Sequence, residues 1–247
     1  MKKSIYTILS AALFLFSCGE ENREIIVPTL DTSSKHLQVA IYSAPDVYEE
    51  GFNHHTQQVE QIKLSYNRQV FVDLDAVSET KEATTLGVHY NDDAYVKLDV
   101  WDIDKDHATG VDGWDIVLSP YNGRTDNGSG TLVPYSLTGA LTNKGNVTAL
   151  RINKSEVESN GDTFISYDAI NYENASRLEL SSEVDAVGSD WKQLDFATFT
   201  YKIVEDQYYI IKTTEGVFFK LAFTSFYNDD LEKGHPALQF QRLIKEE

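Results

Sequence analysis

The strongest constraint on this 247-residue chain is a two-residue alternation of apolar and polar side chains that recurs in separate stretches. Val96, Leu98 and Val100 alternate with Lys97, Asp99 and Trp101, and Trp114, Ile116 and Leu118 alternate with Asp115, Val117 and Ser119. Phe199, Tyr201 and Ile203 alternate with Thr200 and Lys202, and Val217, Phe219, Leu221 and Phe223 leave Lys220 and Thr224 on the other face. Successive side chains of a strand point to opposite sides, so this pattern sets one face on a core and the other toward water. The 14 Tyr and 12 Phe, with plentiful Val, Ile and Thr, suit pleated, half-buried surfaces. Gly216, after Thr214 and Glu215, predicts a turn that folds Tyr208–Lys212 back onto Val217–Phe223 as a hairpin. Helical periodicity is scarce, and Glu79–Leu86 and Tyr172–Val184 are the stretches with room for short helices. The expected fold class is all-β, a single antiparallel β domain with few short helices.

The N-terminal end carries a different pattern. Lys2 and Lys3 precede an apolar run from Ile5 to Phe16, and Ser17 supplies a small residue for a peptidase. The run falls short of the roughly 20 apolar residues that span a bilayer. Leu15-Phe16-Ser17-Cys18 resembles the lipobox of bacterial lipoproteins, which implies cleavage before Cys18 and fatty acylation of that residue, for which palmitate is a suitable label. Cys18 is the one cysteine, and a thiol committed to lipid is lost to catalysis, disulfides and zinc. The expected organisation is a signal peptide at 1–17, a lipidated tether at 18–34 and a β domain at 35–247, within which 35–94 adds N-terminal strands. Glu20 and Glu21 after Cys18 resemble the surface-export tag of Bacteroidetes lipoproteins; an ordinary polar tether is the other reading. The formal charge of −18 repels phosphate backbones, so nucleic acid is not an expected partner, while the lipid makes the membrane one.

Motifs for catalysis are missing from the sequence. There is no G-x-S-x-G elbow, no G-x-x-x-x-G-K phosphate loop and no H-E-x-x-H helix, so an enzyme is not expected. The glycines from Gly123 to Gly130 fit a flexible strand connection. Asp102, Asp104 and Asp106 have the alternate spacing that lets carboxylates converge on calcium, with Asp112 a little further on. An EF-hand needs Gly at the sixth position and Glu at the twelfth, where this chain has His107 and Gly113, so a solvated acidic turn competes with an irregular calcium loop. His54 and His55 are neighbours, and on a strand they point opposite ways, which makes no chelate by itself.

From Tyr95 onward the chain resembles the HmuY-like family of haem-binding surface lipoproteins of Bacteroidetes. The resemblance runs through Tyr95-Val96-Lys97-Leu98, Trp114-Asp115-Ile116-Val117-Leu118, Tyr121 and Arg124-Thr125-Asp126-Asn127-Gly128. It resumes at the strand of Tyr201, Gly216, Lys220, Phe223-Thr224 and Leu231-Glu232-Lys233-Gly234, covering about residues 95–244. It implies an outer-membrane lipoprotein, exposed at the cell surface, that captures haem and passes it to an outer-membrane transporter. Family members hold the iron with two axial His or Met side chains, and the corresponding positions fall near Asp168–Asn174 and Leu194–Ala197. This chain departs from the pattern: no His, Met or Cys lies between Ala108 and Gly234, and Met1 is the sole methionine. Haem iron needs a nitrogen, sulfur or phenolate donor, which leaves Tyr167, Tyr172 and Tyr201 as candidate haem-binding phenolates, or a histidine from upstream. A porphyrin can also be held by apolar and aromatic contacts alone, with weaker binding and little preference for iron. Haem or tetrapyrrole binding is therefore the expected function. The alternative is the same fold on the same anchor, binding a glycan, a peptide or an outer-membrane partner.

Overall fold

The structure is a computed structural model that describes residues 32–43, 48–53, 57–63, 66–67, 69–79, 87–91, 101–102, 111–126 and 129–246. The segment 1–17, Cys18, nearly all of the tether, Val96–Val100, Asp104, Asp106, His54, His55 and His107 lie outside the described residues. Residues Asp31–Glu247 cluster as one compact unit. Its N-terminal elements are β1 (Lys35–Gln38), β2 (Tyr42–Ser43), β3 (Tyr48–Asn53), β4 (Gln58–Lys63), β5 (Tyr66–Asn67), β6 (Gln69–Val72), α1 (Leu74–Glu79), β7 (Val88–Asn91) and β8 (Trp101–Asp102). The next are β9 (Ile116–Asp126), β10 (Leu132–Thr142), β11 (Thr148–Asn153), α2 (Lys154–Ser159) and α3 (Tyr172–Ala175). The last are β12 (Lys192–Asp195), β13 (Thr200–Ile203), β14 (Gln207–Lys212), β15 (Phe218–Tyr227) and β16 (Lys233–Leu243). No helix among the described residues is long and apolar enough to cross a membrane.

Two main sheets carry the fold. The first has the order β1-β16-β15-β14-β11 and the second the order β10-β9-β6-β7, all antiparallel. β8 adds to the second sheet in parallel, with Trp101 beside Tyr121 and Asp102 beside Asn122. Tyr209, Ile211, Phe219, Leu221 and Phe240 of the first sheet share one buried cluster with Val70, Val72, Ile116 and Leu118 of the second. The predicted hairpin forms between β14 and β15, and Gly216 adopts φ +81 in its turn, a backbone region that favours glycine.

The outward faces are also covered, which changes several expectations. On β15 the alternation is real, yet Lys220 is 5% exposed rather than solvated, because Phe218, Lys220 and Ala222 lie beneath residues 152–180. A bulge between Phe223 and Tyr227 then resets the parity, so that Phe226 joins Phe223 in the inner cluster. Trp114 does not share the inner face with Ile116 and Leu118. It lies just before β9 and packs edge-on against Phe71, ring centroids 5.2 Å apart, in a cluster on the other side of the second sheet. Phe199 leaves the face of Tyr201 and Ile203 because it sits in a turn at φ +54. Helix forms only at the start of Tyr172–Val184, where the Asn171 side chain accepts from the Asn174 amide at 3.0 Å. Further on, Ser181 exchanges two backbone bonds of 2.9 Å with Ala149, and that pairing holds the chain extended.

Asp115 locks helix α1 to the second sheet. The first amides of a helix lack intrahelical acceptors, and here Asp115 Oδ2 accepts from the Leu74 amide while Asp73 Oδ1 accepts from Ala76, each at 2.8 Å. Asp115 is 2% exposed, and burial pushes its carboxyl up to about 8, against the lowering pull of the Leu74 amide. The folded state thus holds a proton that the unfolded chain releases near 3.8. The stability this contributes is whole below about pH 4 and is gone above about pH 8. Asp115→Asn keeps the acceptor without the charge. Its melting temperature should fall less than that of the parent between pH 5 and pH 8, and a parallel fall would remove Asp115 as the cause. Gly139 tests the packing of β10, since an added Cβ would fall on the Gly188 carbonyl oxygen, which already accepts from Ala140 at 2.9 Å. Overpacking of this kind costs about 1–3 kcal/mol. Gly139→Ala should therefore lower the melting temperature by roughly 3–10 °C in a calorimetric scan.

Candidate functional site

Three features stand out: a tethered hairpin, a tyrosine cluster on the outer face of the first sheet, and a cleft beside that cluster. The hairpin is β12 with β13, and its root is Trp191, stacked on Phe223 at 4.1 Å and 11° and set edge-on to Phe226 at 5.6 Å. Beside it Lys192 Nζ donates to the Thr138 carbonyl and lies 4.2 Å from the Trp191 ring, 5.1 Å from Phe226 and 5.6 Å from Tyr201. Aromatic faces attract a cation by about 2 kcal/mol when water is excluded. Burial outweighs that attraction and brings the Lys192 ammonium down to about 8, with Asp190 pulling the other way.

The tip of the hairpin is tightly bonded and apolar at once. The Phe199 amide donates to the Asp195 carbonyl at 2.7 Å, the Ala197 amide to Asp195 Oδ1 at 2.9 Å, and Lys202 pairs with Asp195 at 2.7 Å. That pairing holds the Asp195 carboxyl down at about 2. Phe196 and Phe199 project from the turn 78% and 77% exposed. Period-two reading missed this pair because it assigned Phe199 to the buried face. The signal available was the run Phe-Ala-Thr-Phe between two short strands, with no charged residue in it.

The candidate phenolates are not brought together. Tyr167 and Tyr172 belong to the cluster over the outer face of the first sheet, whereas Tyr201 packs against the inner cluster, edge-on to Phe226 at 5.2 Å. The sheet separates them, so no single iron can meet all three. Tyr167 stands edge-on to Tyr208 at 6.0 Å, and its carbonyl accepts from Lys220 Nζ at 2.8 Å, with that ammonium 4.8 Å from its ring. Burial pushes the Tyr167 phenol up to about 12, which works against a phenolate. Tyr172 is half-buried, edge-on to Phe218 at 5.5 Å. Of the proposed calcium ligands, Asp102 is placed at the backbone level in β8, while Asp104 and Asp106 lie outside the described residues. A different acidic group, Asp73, Asp75 and Asp115, offers oxygens within 4.8 Å of one another. Burial raises the pKa of both Asp75 and Asp115, so protons compete there with any cation.

The cleft lies between β11, α2, α3 and the connection at 162–165, and encloses about 400 Å³. Its lining contains neither His, Met nor Cys, and its one phenol, Tyr208, donates to the Ile165 carbonyl at 2.7 Å.

The fold is thus an antiparallel β domain of two main sheets, carrying a small hairpin on one and a tyrosine cluster on the outer face of the first. The family model of the HmuY protein matches residues 65–240, and the chain belongs to that family. The match begins earlier in the chain than Tyr95 and takes in β6, α1 and β7 as well. Among solved structures, a candidate lipoprotein of Bacteroides fragilis aligns at 12% identity over 87% of this chain and 92% of its own, with a TM-score of 0.40. A candidate HmuY-like haem-binding protein of Bacteroides vulgatus aligns at 14% identity over 87% and 94%, with a TM-score of 0.39. The apo HmuY analogue of Tannerella forsythia aligns at 12% identity over 86% and 97%, with a TM-score of 0.32. No curated protein matches the chain.

Lys192 gives a measurable signature of the hairpin root. The unfolded chain keeps this proton up to about 10.5 and the folded chain releases it near 8, so its contribution makes stability rise as pH climbs between those values. Comparing melting temperatures of the parent and Lys192→Met from pH 7.5 to 9.5 should show an advantage of the variant that shrinks with rising pH. A constant difference would mean that the ammonium is not titrating in the fold.

Proposed function

We propose that this protein is a lipid-anchored binding protein of the cell envelope, not an enzyme, and that it takes haem or a related tetrapyrrole without the iron ligation of its family. In this reading Cys18 carries the lipid, residues 18–34 form the tether, and residues 35–247 are displayed at the outer-membrane surface to pass their cargo to a transporter. The observation that carries the proposal is the hairpin tip. Leu194–Ala197, the segment that corresponds to an iron-ligand position of the family, carries here the exposed ring of Phe196, and the exposed ring of Phe199 stands two residues beyond it in the same turn. Flat aromatic rings favour offset stacking on one another, and a porphyrin offers them a large apolar face. Family membership supports the choice of tetrapyrrole over other flat ligands. The lack of His, Met and Cys from 108 to 234 supports contact with the ring rather than with the metal.

Titration of the Cys18→Ser chain with haemin and, separately, with iron-free protoporphyrin IX tests this. Both should saturate at one equivalent with dissociation constants within about tenfold of each other, the interval set by ~1.4 kcal/mol. Phe196→Ser with Phe199→Ser should weaken both at least tenfold. A tetrapyrrole spectrum identical to that of the free pigment throughout would reject the reading. Tight haemin binding lost in Tyr167→Phe, Tyr172→Phe or Tyr201→Phe would instead restore a phenolate ligand.

A further inference from the structure

The outer-face cleft has a chemistry of its own, separate from the hairpin tip. Its walls are Leu150, Ile152, Val157, Ile165, Ile170 and Leu178, branched aliphatic side chains. Tyr208 contributes the one aromatic ring of the lining, and its hydroxyl is already bonded to Ile165. Such walls shape a channel for a flexible hydrocarbon, whereas they offer a planar macrocycle little to stack on. At about 400 Å³ the space lies toward the small end of the ~300–1,000 Å³ typical of small-molecule sites.

The rim carries the polar groups. Arg151 is neutralised twice, by Glu156 at 2.6 Å and Asp190 at 2.9 Å. Asn174 is fixed at the start of α3 by its backbone bond to Asn171, and Asp162 and Thr163 sit where the chain leaves α2. Arg177 makes no ion pair among the described residues, although the chain carries a formal charge of −18. Arg151, Asp162 and Arg177 are the charged residues of this lining, and with Arg151 held by Glu156 and Asp190 the positive group left to meet an anion is Arg177. A guanidinium beside an apolar slot recognises a carboxylate in bidentate fashion.

We infer that the cleft binds a free fatty acid, its chain lying along the aliphatic walls and its carboxylate on Arg177. The charge complementarity selects a monoanionic head over a neutral or cationic one. The enclosed body selects by chain length, because each further methylene buried strengthens binding about fourfold until the slot is full.

The test is calorimetric titration of the full chain, carrying Cys18→Ser, with decanoate, octanoate, 1-decanol and decyltrimethylammonium. Decanoate should saturate one site, octanoate should bind roughly tenfold more weakly, and the neutral and cationic heads should lose about tenfold or more. Arg177→Ala, an exposed position, should bring decanoate down to the level of 1-decanol, and Val157→Trp should abolish saturation by filling the slot. Melting temperatures of the variants confirm that they are folded, and the Arg177 arm stands even where Val157→Trp is not. The inference is overturned if decanoate shows no saturable site, if decanoate and 1-decanol bind alike, or if folded Val157→Trp binds like the parent. Haemin binding with no decanoate binding would leave the tetrapyrrole reading intact and remove this one; the reverse outcome would do the opposite.

Discussion

Burial of the first sheet on both faces is the condition on which the remaining structure rests. Tyr208–Ile211 of β14 and Phe218–Phe223 of β15 are buried without interruption, the even and odd positions against different neighbours. A central sheet of this kind must be covered twice, or one set of these side chains faces water. The second sheet provides one cover. The other is the stretch from Ile152 to Leu180, which holds two short helices and irregular connections. Lys220 shows how fully that cover closes. Its ammonium is tolerated inside because the Tyr167 carbonyl accepts from it and the Tyr167 ring lies beneath it, so polar burial is compensated by partners that the cover itself supplies. The cleft opens within this cover of short helices and connections, against β11 and β14.

The hairpin β12–β13 solves a different problem, that of exposing apolar rings on a stable support. Two strands in isolation are marginal. Here the root is fixed by Trp191 stacked on Phe223 and by Lys192 bonded across to β10, while the Tyr201 amide donates to the Tyr227 hydroxyl at 2.7 Å. The Asp195 carboxylate then gathers the Ala197 amide and the Lys202 ammonium, so the turn needs no glycine even with Phe199 left-handed. The energetic cost of exposing Phe196 and Phe199 is met by contacts at the other end of the hairpin.

What the sequence revealed follows from how local each signal is. The β14–β15 hairpin was legible because Gly216 and the alternation on either side lie within one short stretch. The all-β class was legible for the same reason. Asp115 was visible as half of a Trp-Asp pair but not as the acceptor for α1, because Leu74 lies 41 residues away and nothing in the spacing links them. Lys220 was assigned to water since period-two reasoning assumes one covered face, and the segment that covers the other carries no regular period. Tyr167 and Tyr172 could be grouped with Tyr201 by residue type, yet only the parity of the intervening strands reveals that a sheet divides them. The cleft was illegible altogether, its walls coming from β11, α2, α3 and β14 with no motif among them.

The electrostatics of the molecule decide how an anionic cargo can sit on it. A formal charge of −18 opposes any ligand that brings carboxylates toward the surface as a whole, and the opposition is strongest at low salt. At the hairpin tip Lys202 is already paired with Asp195, and the Lys192 ammonium is enclosed by rings below. A tetrapyrrole stacked on Phe196 and Phe199 therefore gains most with its propionates turned outward into water, where screening is greatest. An anion that enters the protein instead needs a local positive centre not already compensated. Among the polar groups of the cleft, Arg151 is spent on two carboxylates and Arg177 is not. On the two proposals made above, the same excess of negative charge would sort the surfaces: flat ligands with solvated carboxylates on the rings, slender ones with a buried chain and a held carboxylate beside Arg177.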